Sequence, residues 1–215
     1  MSLLHRLART PFRVPFGMIA VWYFLLASSP LFGQQSELDQ VREKFAEGQV
    51  LYAGMVHEFL DSYTGESQVT EGEIWLSKEK YKVRAEQQVV VVDGMISRVY
   101  NERQNKLVIS EYEPEEDDFA PSRFFSESEE IYQVSDVARD GETISFTLTS
   151  DDPFEIFIEV VIILDRNLMP LEIRAIDQMD NEIKTTFMNA EYIEDPGTVF
   201  VLEYPDDAEI IDLRK

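Results

Sequence analysis

Val89-Val90-Val91-Val92-Asp93-Gly94-Met95-Ile96-Ser97-Arg98-Val99-Tyr100 is the stretch on which the fold turns. Two runs rich in β-branched and aromatic residues flank Asp93-Gly94. Glycine accepts the positive φ that a tight turn demands, so the stretch reads as a β-hairpin with a two-residue turn. The same pattern extends outward in both directions. Tyr81, Val83 and Ala85 alternate with Lys82, Arg84 and Glu86, Ile144, Phe146 and Leu148 with Ser145, Thr147 and Thr149, and Leu171, Ile173 and Ala175 with Glu172 and Arg174. Turn signals separate these runs at Thr64-Gly65, Asn101 to Asn105, Asp140-Gly141, Arg166-Asn167 and Asp180-Asn181. The expectation is about ten strands in one antiparallel sheet, with few helices.

Only short segments read as helix. Leu38, Val41 and Phe45 are spaced three and four apart and Gly48 follows, which predicts an amphipathic helix with a glycine stop. Pro121-Ser122-Arg123-Phe124-Phe125 predicts a second, after the acidic run Glu113 to Asp118. A long antiparallel sheet curls, and a helix across its mouth would enclose a cavity. The fold class expected is mainly β with a few short helices: a single curved antiparallel sheet forming an unclosed β-barrel under a helical lid.

Two runs are apolar on both faces, Val89–Val92 and Phe154–Leu164. Cover by core on both sides explains them. So does a sheet face lined with apolar side chains around a ligand, and periodicity leaves both readings open.

Residues 1–34 differ in kind. They carry Arg6, Arg9 and Arg13 and no acid, then the apolar run Phe16–Leu26, then small residues and Pro30. That order reads as a secretory signal peptide cleaved near residue 34, leaving one domain over 35–215. An uncleaved anchor is the alternative, but Ser28-Ser29-Pro30 breaks the run at marginal length. The 215 residues carry 19 Lys plus Arg against 42 Asp plus Glu, a formal charge of −23; without residues 1–34 it falls to −26. Such a chain has no basic stripe for nucleic acid and is repelled from anionic bilayers. The expected location is the periplasm, as a monomer.

Catalytic equipment is scarce. Cysteine is absent, so thiolate metal sites and cysteine nucleophiles are excluded. His57 is the one histidine beyond the signal, in an expected strand and on the face of Phe59, where a structural role outweighs a catalytic one. No nucleophile elbow, metalloprotease helix or phosphate loop occurs. The acidic run 113–118 lacks the glycine and spacing of a calcium loop. No enzyme activity, catalytic residue, metal or cofactor is expected. Aromatic content is high, with 14 Phe, 9 Tyr and 2 Trp, and favours a binder of something apolar.

Gly72-Glu73-Ile74-Trp75-Leu76 followed by Tyr81-Lys82-Val83-Arg84 resembles the Gly-x-Leu-Trp stretch of the LolA family of periplasmic lipoprotein carriers. Val92-Asp93-Gly94 leading to Val99-Tyr100-Asn101 is similar to that family's hairpin. Pro170-Leu171, Asp177, Asn181, Phe187, Asn189, Phe200 and Tyr204-Pro205 follow its closing strands in order. The resemblance implies an unclosed barrel of the LolA/LppX type with a lid. It further implies a chaperone that takes acylated lipoproteins from an inner-membrane ABC release transporter to an outer-membrane receptor or the outer membrane.

By that resemblance the acyl cavity would be lined by Ile74, Trp75, Leu76, Tyr81, Val83, Val90, Val92, Ile96, Tyr100, Ile156 and Ile158, each of which has ordinary core as its alternative. Phe124 and Phe125 would lie on the lid. The family's lid-tying arginine has Lys78 as its nearest counterpart, and Glu79 stands where a proline usually follows. Without a lipobox cysteine the chain differs from the family's anchored receptor. The alternative function is a periplasmic regulatory or sensor protein of the same fold, recognising lipid or a membrane regulator.

Overall fold

The structure, a computed structural model, describes residues 32–113, 117 and 131–215, with side chains from Glu37 onward. Among the described residues one helix, α1 (Phe32–Ala46), precedes twelve strands. These are β1 (Gln49–Leu60), β2 (Ser67–Leu76), β3 (Tyr81–Ala85), β4 (Gln88–Val92), β5 (Ile96–Asn101), β6 (Lys106–Glu111), β7 (Gln133–Asp140), β8 (Thr143–Thr149), β9 (Phe157–Asp165), β10 (Pro170–Asp177), β11 (Glu182–Glu194) and β12 (Glu209–Asp212). The expected cleavage point near residue 34 falls within the first turn of α1. Phe124 and Phe125, expected on the lid, lie outside the described residues.

All twelve strands join one sheet in the order β12-β6-β5-β4-β3-β2-β1-β11-β10-β9-β8-β7. The edges β7 and β12 do not pair, so the barrel is unclosed, as the sequence implied. The sheet is not wholly antiparallel: β12 runs parallel to β6, because the chain crosses the sheet before it returns to the edge. The β4–β5 turn is centred one residue later than expected. The Asp93 amide donates to the Ile96 carbonyl at 3.1 Å, and Gly94 takes the positive φ of +91°. The Asp93 side chain accepts from the Met95 and Ile96 amides and draws the turn forward.

Leu38, Val41 and Phe45 are buried, and Gly48 ends α1 with φ +83°. The helix packs on one face of the sheet, called inner here, with Leu51, Ala53 and Met55 of β1 beneath it. Phe45 meets the ring of Tyr192 on β11 edge-on at 5.8 Å, and Glu37 pairs with Arg139 of edge strand β7 at 2.5 Å. The helix therefore reaches from β11 to β7, across the hollow of the curled half. Val160, Ile162 and Leu164 of β9 and Phe146 and Leu148 of β8 complete the core there.

The outer face has its own cover over β3–β6. After β11, residues 195–208 cross it as a strap and end in β12. Lys82 donates to the Val199 carbonyl, Tyr204 lies against Tyr100 with ring centroids 6.4 Å apart, and the Asn105 amide side chain donates to the Asp207 carbonyl. Val89, Val91, Tyr100 and Leu107 are buried on this side. The Val89–Val92 run is thus apolar on both faces because the inner core takes one pair of valines and the strap side the other. In β9 the outer residues Val161 and Ile163 are only half-buried.

Candidate functional site

The inner face of β3–β6 carries a straight apolar row. Residues directly opposite each other in paired strands share a face, and the register aligns Ala53, Ile74, Val83, Val90, Val99, Val108 and Ile211 across seven strands. Ala53, Ile74 and Val83 are buried, whereas Val90, Val99, Val108 and Ile211 are half-buried. The row has polar borders. On one side Val92 is followed by Ser97 and Ser110; on the other Ala85 is followed by Gln88, Asn101 and Lys106. Three strand spacings make the Val83-to-Val108 row about 14 Å wide.

Gly72 explains how β2 and β3 come close at the start of this face. A Cβ built there would lie 2.2 Å from the Arg84 carbonyl oxygen and 3.0 Å from the Ala85 Cα. Only glycine lets the Gly72–Ala85 pair approach so far. At the other border Tyr81 donates its hydroxyl to Asp117 at 2.7 Å and lies against Tyr112 with ring centroids 6.4 Å apart. This ties the segment after β6 back over the inner face.

Two buried polar atoms close to α1 have no hydrogen-bond partner among the described residues, Arg42 Nε and the Tyr192 hydroxyl. Burial pushes the Tyr192 phenol well above its usual value, so it stays neutral. Arg42 retains a 3.3 Å contact with Asp39.

The residues expected around one acyl cavity divide between two faces. Ile74, Leu76, Tyr81, Val83, Val90 and Val92 point inward, by their register and burial. Trp75, Ile96 and Tyr100 point outward and cannot line the same space. Trp75 stacks obliquely on Tyr52 at 5.1 Å and carries the Lys82 ammonium 5.4 Å above its ring, and Tyr100 packs under the strap. Successive residues of a strand alternate, so Ile74, Trp75 and Leu76 could never share a face.

Ile156 is half-buried against the core, just before β9. Ile158 is 39% exposed and faces out. A register shift between Ile176 and Asp177 reverses the parity of β9 at its start, and Phe157 takes the core position instead. Lys78 is exposed in the turn between β2 and β3, and the lid it would tie lies outside the described residues.

Val99, Val108 and Ile211 were missed. Their alternation is weak, and only the register of three successive hairpins and the parallel β6–β12 pairing places them in line with Val83 and Val90.

His57 sits on the inner face in a row with Thr185, Ile173, Ile162 and Phe146. Its Nδ1 lies 2.9 Å from the Thr185 hydroxyl, and burial lowers its pKa to about 4. It is therefore neutral at ordinary pH and packs as part of the core row. Among the described residues no three His, Cys, Asp or Glu side chains cluster as metal ligands would.

The architecture seen here is the one the Gly72–Arg84 and hairpin motifs implied: a large sheet, not closed, with a helix on its inner face. The fold is LolA-like. No family model matches the chain, and no curated protein matches it. An uncharacterized conserved protein from Thermus thermophilus superposes with a TM-score of 0.54 at 13% identity, over 84% of this chain and 99% of that one. The fold is shared with that protein over nearly its whole length.

A LolA superfamily protein from Nitrosomonas europaea superposes at 0.44 with 9% identity, covering 79% of this chain and 97% of its own. A putative outer membrane lipoprotein-sorting protein domain from Vibrio parahaemolyticus gives 0.41 at 11%, over 75% and 94%.

Proposed function

We propose that the chain is an exported carrier that shelters the acyl chains of lipoproteins on its inner face and is not a catalyst. In this reading it works in the periplasm and moves its cargo from an inner-membrane ABC release transporter to an outer-membrane receptor. The observation that carries the reading is the valine row Val83–Val90–Val99–Val108, apolar in register yet only half-buried beyond Val83. A protein normally spends such surface on its own core. Here the row is bordered by polar residues, and a second apolar layer under the strap backs the same strands from the other side.

The physical problem suits such a surface. Each buried methylene contributes about 0.8 kcal/mol, so an acyl chain exposed to water is strongly unfavourable. A carrier must cover the chain and still release it, which favours an apolar face with a separable cover over a closed core.

The test is titration of the chain, purified from the periplasm of an expressing bacterium, with a triacylated lipopeptide and with the same peptide lacking its acyl chains. Saturable binding that requires the acyl chains supports the carrier. Equal binding of both peptides, or of neither, removes it and brings forward a regulator that recognises protein.

A further inference from the structure

Three turns at one end of the sheet repeat a single device. In Asp61-Ser62-Tyr63, Asp152-Pro153-Phe154 and Asp177-Gln178-Met179, an aspartate carboxylate accepts the backbone amide of the apolar residue two positions on, at 2.9, 2.9 and 2.7 Å. Each amide is fixed while its side chain points to solvent: Tyr63 is 96% exposed, Phe154 91% and Met179 72%. The turns are also tied to each other. The Ser62 amide donates to the Asn181 side chain and the Ser62 hydroxyl to the Met179 carbonyl. Gln178 donates to the Glu155 carbonyl at 3.1 Å, which joins the third turn.

We propose that Tyr63, Phe154 and Met179 together form a docking surface for a partner protein that presents an apolar depression ringed by lysine and arginine. Large aromatic and thioether side chains on a pre-ordered backbone are what the centre of a protein interface uses, because little freedom is lost on binding. The occupant follows from charge. Residues 61–66, 150–156 and 177–182 hold eight acids and no lysine or arginine. An anionic bilayer would be repelled by that ring, and a second copy would set the same eight acids against it. A basic rim is attracted to it and would be steered onto the three tips. The surface is separate from the valine row and does not depend on what the inner face holds.

The test places a photo-crosslinking benzoylphenylalanine at Tyr63, Phe154 or Met179 of the full chain in the cells that make it. The exposed Met95, at the opposite end of the sheet, serves as the control position. The expected result is one common protein adduct from the three positions and none from Met95. The cross-linked segment should carry lysine or arginine, and the adduct should be lost in E66Q/D151N/D180N. The captured protein, purified, should then bind the Y63S/F154S/M179S chain at least tenfold more weakly than the unaltered one, with acyl-peptide binding unchanged.

All three tips are exposed, so the melting curve of the triple variant checks folding directly. No common adduct, an adduct of twice the chain mass, a lipid adduct, or affinity indifferent to the triple variant would each overturn the proposal.

Discussion

The Lys82 ammonium donates to the Val199 carbonyl at 3.1 Å and so pins the strap to the outer face of the sheet. The stem of Lys82 runs beside Trp75, and burial, with Arg84 as a smaller cause, lowers its pKa. Lys82→Met keeps the stem and removes the donor, which leaves the strap held at its far end by β12. A half-exposed bond of this kind contributes about 1 kcal/mol. The expected outcome is a loss of that size in urea unfolding. Hydrogen exchange should also speed up at the Glu209 and Leu213 amides, which bond the Asn105 and Ile109 carbonyls. Unchanged protection at both would show that the strap is held independently of Lys82.

Gly72→Ala tests the close approach of β2 and β3. The added methyl would press on the Arg84 carbonyl and the Ala85 Cα, which are backbone atoms and cannot rotate away. Forced shifts of this kind cost about 1–3 kcal/mol. Gly54→Ala is the control, since the nearest atoms there are 3.5 Å away. A thermal melt in which both variants lose equally would remove the steric reading of Gly72.

His57 makes stability depend on pH through a lowered folded-state pKa. The unfolded chain takes up its proton near pH 6.5, the folded chain only near about 4. Between those values the unfolded state binds more protons, so stability falls as pH drops from about 6.5 to 4 and this group has no effect above that window. The full difference is on the order of 3 kcal/mol. Urea unfolding of the unaltered chain and of His57→Gln at pH 7.5, 5.5 and 4.5 isolates it. The gap between the two proteins should shift in favour of the variant as pH falls, and a constant gap would contradict the assignment.

Alternation made most of the sheet legible from sequence, because Tyr81, Val83 and Ala85 or Ile144, Phe146 and Leu148 each put one apolar set on one face. Helix α1 was legible for the same reason, with Gly48 marking its end. The face that each strand presents to its neighbours was harder. Ile96 and Tyr100 belong to the outer layer because they alternate with Ser97 and Val99, which pair with Val92 and Val90 on the inner face. The shifted turn leaves that facing unchanged, since a turn centred on Asp93-Gly94 would also set Ile96 beside Val91.

Ile158 was lost to a bulge in β9 itself, where Phe157 and Glu159 stand two apart against the adjacent Asp177 and Ile176. The neighbouring apolar pair Phe157-Ile158 gives no sign in the sequence of which one turns inward. The strap was invisible for another reason. Residues 195–208 have no period, so only the buried Val89, Val91 and Leu107 betray what crosses them.

The valine row separates carrier from core in a way that burial alone does not. Val90→Ser, Val99→Ser and Val108→Ser, made together, alter three side chains that are half-buried in the chain as it stands. If the row serves an acyl chain, affinity for a triacylated lipopeptide should fall at least tenfold. The melting temperature should drop less than in Ile74→Ser, which replaces a fully buried neighbour in the same row. Core residues behave oppositely, because a polar group placed in a packed interior costs stability whatever binds elsewhere. Trp75→Ser supplies the outer-face control and should leave lipopeptide binding intact, since its ring lies against Tyr52 on the far side of the sheet. Equal loss of affinity in the outer-face and inner-face variants would mean that the acyl chain does not lie along the row, and the carrier reading would lose the observation that carries it.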